Sequence, residues 1–361
     1  MAEWLDETDN FSTAKLIAYP EVLVASRSSE PMRPINLEIN PVNICNQSCT
    51  WCTYGYLHER RERLEAEQII GLLDDAKAMG VQSVTWTGGG EPTVYRDLDR
   101  VVAHAASLGF KQGINTNGTR VSEALLDLLV GHFSYVRFSI DAGSPDVYAR
   151  THRVKPEDLG PVLANVKRIT AARDAAGSSL VVGYSFLVDE SNIDDVVEGA
   201  HRAREAGVDY LQLKPIVHYA RSNEQFAHES ELRGQLDAAL PAVVEALGDA
   251  VQLRFLNHKF TDLAEQDSAY GRTYDVCRGN ELLATVGADG SVDVCCAYKG
   301  EADWSFGNLH DERFQAIWDG AQRRRVLAKI DVHQCPPLCK AHELNKIVHF
   351  VNRFDAHKEF P

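Results

Sequence analysis

No stretch of this sequence approaches the roughly 18 consecutive apolar residues that a membrane-spanning helix needs, which predicts a soluble protein with no membrane partner. Positive charge is also in short supply: 37 Lys and Arg stand against 52 Asp and Glu, for a formal charge of -15. Binding to a nucleic-acid backbone is driven by Lys and Arg displacing counterions, so the balance argues against such a partner. The opening residues, MAEWLDETDNFSTAKL, lack the basic start and apolar stretch of a secretory signal. A cytoplasmic protein with reduced thiols is therefore expected. Neither an internal repeat nor a low-complexity tract stands out.

What is present is a chain of 361 residues, 44% hydrophobic and 25% charged. These are ordinary globular values, and the length exceeds the roughly 250 to 300 residues at which single cores stop growing. From Ile35 onward, short β-branched runs alternate with amphipathic stretches, the pattern of parallel strands with helical crossovers. The strands are expected at 35–40, 81–87, 110–115, 135–140, 179–188 and 209–215. Between the first two, Leu64, Ile69, Leu72, Leu73 and Ala76 recur at three and four residues on one helical face, and Gly80 supplies a C-terminal cap. A further helix over 231–248 and a strand, VQLRFL, complete this unit.

Six βα units make an open partial barrel and fall short of the eight that close one. The expected fold is α/β: a TIM-like (β/α)6 partial barrel over 35–270, an N-terminal extension over 1–34, and a small α+β domain over 271–361. The last begins where Gly, Asp and Cys become frequent; five of the eight cysteines lie there. In such sheets the chemistry gathers on loops at the C-terminal ends of the strands.

The first of those loops carries CNQSCTWC, with Cys45, Cys49 and Cys52. A disulfide within the triplet would strand one thiol and conflict with a reducing compartment. Structural zinc takes four ligands, usually from two CxxC pairs. Three thiolates in one short loop suit a 4Fe-4S cube with one iron left unligated by protein. After the second strand comes TGGGEP, in which glycine lets the backbone approach a ligand and an anionic Glu91 complements a cationic amine; a plain turn is the alternative. Asn117 before Gly118 reads equally as a turn, and Asp141 as a helix cap. Gln212 and Lys214, polar residues within an apolar strand, are expected to face the barrel lumen.

The CxxxCxxC spacing with an aromatic before its last cysteine, followed by GGEP after the next strand, resembles the radical S-adenosylmethionine (SAM) superfamily. The resemblance implies that a 4Fe-4S cluster on Cys45, Cys49 and Cys52 chelates SAM through its vacant iron, and that reductive cleavage yields a 5'-deoxyadenosyl radical. It implies further that Trp51 packs near the adenine and that Gly89, Gly90, Glu91 and Pro92 bind the SAM ammonium. By the same likeness Asn117 belongs to the cofactor site, Ser139 holds the ribose, Asp141 faces the substrate, and Arg153, with Arg150 as rival, pairs with the SAM carboxylate; Lys214, read from its place in the strand, is a candidate catalytic residue that binds SAM, substrate or a barrel carboxylate. A flavodoxin or ferredoxin would supply electrons.

In the C-terminal part, Cys277, Cys295, Cys296, Cys335 and Cys339 accompany a hairpin signal, LLATVGADGSVDVCC, with Asp289 and Gly290 in the turn. Four thiolates in a small module also fit a zinc ribbon. Beside the first motif, however, the arrangement resembles a SPASM or shorter twitch extension. That likeness implies a second 4Fe-4S cluster on Cys277, Cys295, Cys335 and Cys339. Cys296 is then left over, either a small core residue or a thiol that returns hydrogen to a substrate radical. Strand alternation predicts that Cys295 and Cys296 point to opposite faces. The expected function is radical SAM oxidation of a small polar substrate, first a secondary alcohol of an amino sugar or aminocyclitol in antibiotic biosynthesis. The alternatives are epimerisation through Cys296, peptide modification, and a non-catalytic metal-binding or electron-transfer protein.

Overall fold

The computed structural model describes residues 11–28, 31–216, 229–256, 259–260, 272–336 and 339–353. The first ten residues of the expected N-terminal extension, much of the segment between 216 and 270, and Pro337 and Leu338 of the last cysteine pair lie outside the described residues.

Seven parallel strands follow one another in order across the sheet: β1 (Asn36–Ile39), β2 (Ser83–Trp86), β3 (Lys111–Thr116), β4 (Phe133–Ser139), β5 (Val181–Val188), β6 (Tyr210–Pro215) and β7 (Gln252–Phe255). Each falls within two residues of its expected ends. Helices cover the outer face and build the core with it. In the helix Ala66–Ala78, for example, Ile69, Leu72, Leu73 and Ala76 are buried, Glu65 and Gln68 form a capping box, and Gly80 takes φ +88° just past its end. Side chains facing the other way line the lumen, among them Arg137 of β4, Ser185 of β5, and Gln212 and Lys214 of β6. Near the base, the Phe11 ring meets Tyr135 and Tyr210 edge-on at 5.2 and 5.5 Å, with the guanidinium groups of Arg137 and Arg254 at 4.8 and 4.6 Å from its centroid.

The sheet does not stop near residue 270. Strand β8 (Leu283–Val286) pairs in parallel with β1, opposite β2, so that Glu38 lies between Thr85 and Thr285. Strands β9 (Ser291–Asp293) and β10 (Ser305–Asn308) extend it antiparallel. One ten-stranded sheet, in order β10-β9-β8-β1-β2-β3-β4-β5-β6-β7, therefore runs through both expected domains. The expected hairpin is β8–β9, and Asp289 in its turn accepts hydrogen bonds from the Ser291 N–H and hydroxyl. The Met32 N–H donates to Glu281 at 3.2 Å, tying the N-terminal extension to the C-terminal part, and Arg323 of that part pairs with the same buried carboxylate at 2.7 Å.

Candidate active site

The segment after β1, which carries three thiols, is held by three hydrogen bonds to one helix. The N–H groups of Ser48 and Thr50 donate to the carbonyls of His152 and Thr151 at 3.3 and 2.8 Å. Those carbonyls end the helix Pro145–His152 and have no partner within it. Gln47 Nε2 adds a bond of 2.8 Å to the Tyr148 hydroxyl on the same helix. Cys45, Cys49 and Cys52 are half-buried and free of disulfides. Burial pushes the Cys45 thiol up to about 11, aided by Glu91 and Cys52. Cys49 is pushed up by burial, Asp141 and its two sister thiols. Such thiols stay neutral until a metal displaces the proton. Among the described residues, no three His, Cys, Asp or Glu side chains converge as a single ion requires. Cys49 feels both other thiols and Cys45 feels Cys52, a closeness that suits the ligands of one cluster.

The glycine run is pressed against this loop. Gly90 and Glu91 donate backbone N–H bonds of 3.0 Å to Val42 and Ile44. A Cβ on Gly89 would stand 2.4 Å from Asn43 Oδ1, and one on Gly90 2.2 Å from the Ile44 oxygen, so no larger residue fits at either position. Pro92 opens a short 3-10 turn capped by Glu91. Glu91 itself differs from expectation. Its Oε1 accepts from Thr93 N (3.0 Å), the Thr93 hydroxyl (2.7 Å) and the Thr116 hydroxyl (2.6 Å), and its Oε2 from Asn117 N (2.8 Å). The carboxylate, 4% exposed, thus ties the β2 loop to the β3 loop. Asn117 is likewise engaged, donating to Asn46 Oδ1 and accepting from the Thr119 N–H and hydroxyl in a turn. One contact that the sequence did not announce is His58, whose Nε2 lies 2.7 Å from the Gly89 oxygen and 3.9 Å from Cys52 Sγ.

Asp141, expected to face substrate, is buried with a left-handed backbone (φ +54°) and has an organising position. It accepts the Leu187 N–H at 2.7 Å, the nearby Trp51 indole favours its ionised form, and His152 Nε2 approaches it at 3.9 Å. Trp51 is buried beside it. Burial raises the Asp141 carboxyl, and burial together with Arg137 and Lys259 lowers the Lys214 ammonium; each opposes the other's shift. Ser139 stands beside Ser185 in register, and its backbone bonds His152. Arg153 is exposed at the left-handed end of the helix Pro145–His152, so its side chain is not among the groups gathered around the thiols. Its neighbour His152 is the inward one. It is stacked on Tyr148 at 4.3 Å, and burial brings it down to about 4. The rival Arg150 donates to the Ser191 carbonyl.

The remaining cysteines gather beyond β8. Cys295, Cys296 and Cys339 line a small hollow with Glu38, Thr285 and Lys340. Burial, and then the neighbouring Cys339, raise the Cys277 and Cys335 thiols, and Cys277 adds to the shift on Cys335. Asn345 donates to Cys277 Sγ at 3.3 Å. The expected opposition of Cys295 and Cys296 is corrected. β9 ends at Asp293 and Cys296 opens a 3-10 turn, so alternation no longer applies and both face the hollow. The two cysteine regions are clasped together: Tyr54 and Tyr56 hydroxyls donate to the Cys296 and Lys299 carbonyls at 3.2 and 2.7 Å, and Arg60 to Gly300 at 3.2 Å. Lys340 ion-pairs with Glu38 in the lumen.

A parallel α/β sheet with a half-buried thiol triplet on its first loop, tied to a second thiol group, defines an iron-sulfur enzyme of the barrel type. The chain belongs to the radical SAM superfamily, whose model matches residues 39–220. Residues 277–341 match the SPASM iron-sulfur cluster-binding domain; the shorter twitch form gains no support from that match. The cofactors are SAM with a 4Fe-4S cluster at the barrel, and auxiliary iron-sulfur binding in the SPASM domain. The chain is similar to the sporulation killing factor maturation protein SkfB of Bacillus subtilis (25% identity over 319 residues, covering 87% of this chain and 71% of that protein). It is also similar to a PqqA peptide cyclase of Xanthomonas campestris (25% over 298 residues, 79% and 73%). The fold resembles SuiB of Streptococcus suis, with a TM-score of 0.63 at 17% identity over 87% of this chain and 72% of that one. Among the described residues no helix is long and apolar enough to cross a membrane.

Proposed function

We propose that this protein is a peptide-modifying radical SAM enzyme. The observation that carries the reading is the likeness, over most of the chain, to a killing-factor maturation protein and to peptide cyclases. That likeness favours peptide modification over the amino-sugar oxidation expected first. When bound, SAM and the reduced cluster supply one-electron hydrogen-abstraction chemistry. Cys45, Cys49 and Cys52 would hold that cluster, and Cys277, Cys295, Cys335 and Cys339 an auxiliary one. The chain's own groups orient and enclose. The glycine run fixes the second loop against the first, the Glu91 carboxylate ties it to the third, Asp141 lies beside Trp51, and Lys214 and Ser139 present polar groups to the lumen. Electrons would come from a flavodoxin or ferredoxin.

The test is anaerobic incubation of reduced, reconstituted protein with SAM and short peptides encoded beside its gene. A mass change in a peptide, with 5'-deoxyadenosine formed above the uncoupled background, supports the reading. Turnover of amino sugars or aminocyclitols with no peptide modified would return it to small-molecule oxidation.

A further inference from the structure

We propose that His58 is a positioning residue whose single N–H is shared between the second loop and a cluster ligand, and that this sharing raises the reduction potential of the SAM-binding cluster. The inference goes beyond the proposed function and is independent of the substrate. His58 ends the short helix Gly55–His58, which is anchored by Leu57, 1% exposed. The Gly89 carbonyl can only accept, so at 2.7 Å the proton resides on His58 Nε2. The same nitrogen stands 3.9 Å from Cys52 Sγ, at the edge of reach for a neutral thiol. A metal-bound sulfur is a thiolate and a stronger acceptor. The helix is packed against the glycine run, since a Cβ on Gly89 would also meet Leu57 Cδ1 at 2.9 Å. The imidazole is therefore held between both acceptors.

Hydrogen bonds to cluster sulfurs are among the factors that set the potential, and partners of metal ligands also orient them. A donor favours the reduced cluster, which carries one more negative charge, so removing it moves the potential downward. Gln can place an N–H near the position of His Nε2, whereas Asn falls short of it.

The experiment reconstitutes wild type, His58→Ala, His58→Gln and His58→Asn anaerobically, measures iron per chain, and follows each cluster by electron paramagnetic resonance during a potential titration. The signal that changes on adding SAM identifies the cluster concerned. Expected is a shift to more negative potential for His58→Ala and His58→Asn, with His58→Gln matching wild type. The proposal is overturned if all four potentials coincide, if Gln shifts as far as Ala, or if all three variants simply lose iron. Should only His58→Ala fail to hold a cluster, the Gln and Asn comparison decides. A wild-type protein with no SAM-responsive signal would instead strike at the assignment of Cys45, Cys49 and Cys52.

Discussion

At the scale of single residues, the site is made of groups whose ordinary solution behaviour is suppressed by burial. His152 is the clearest. Its ring is 1% exposed, and burial lowers it from 6.5 to about 4. A depressed histidine contributes stability that is present above pH 6.5 and is lost as pH falls toward 4. The span corresponds to about 3 kcal/mol. Chemical denaturation from pH 7 to pH 4 should show that loss, and His152→Gln should flatten the profile. Glu91→Gln sets an amide against the four donors that the carboxylate accepts, and we expect it to cost about 1–3 kcal/mol and to lower the melting temperature of the metal-free chain. Cys296→Ala separates two outcomes of catalysis. An epimerase would lose product formation, whereas an enzyme using only the other seven thiols would keep it. Sequence reading found the thiols because their spacing is itself the signal. It weighed Arg153 against Arg150 and passed over His152, because nothing in YARTHRV marks which side chain turns inward at a helix end that closes with a left-handed residue.

Elements tell a different story about legibility. The strands were readable because β-branched runs and turn residues are local signals, and so was the hairpin with Asp289 and Gly290. The pairing of β8 with β1 was not readable. It joins segments more than 240 positions apart, and no local pattern records a partner at that distance. The glycine run was legible as a ligand-approaching loop, but its closest neighbours are the backbone and asparagines of the first loop. Gly90→Ala should accordingly separate the two loops. We expect such protein to reconstitute with markedly less iron at the first site while keeping its far-ultraviolet circular dichroism, since the strands on either side remain intact.

For the whole molecule, the expectation is about eight irons per chain after anaerobic reconstitution, four from each of two cubes. Zinc without iron would instead support a binding module. The Arg323–Glu281 pair lies far inside, at 1% and 4% side-chain exposure. Arg323→Ala would leave a buried carboxylate whose remaining cationic partner is Arg278 at 3.0 Å. Losing one member of a buried pair costs about 3–5 kcal/mol, and calorimetry of Arg323→Ala should show a lower midpoint.

The central place of β1 in the ladder matters for anyone who dissects the protein. It gives hydrogen bonds to a strand on either side, one from each half of the chain. Excising everything after residue 270 would bare one flank of β1, and exposed flanks invite the same strand of another copy. Such a fragment should self-associate on dilution series, so that the smallest portion worth expressing is one that retains the C-terminal hairpin.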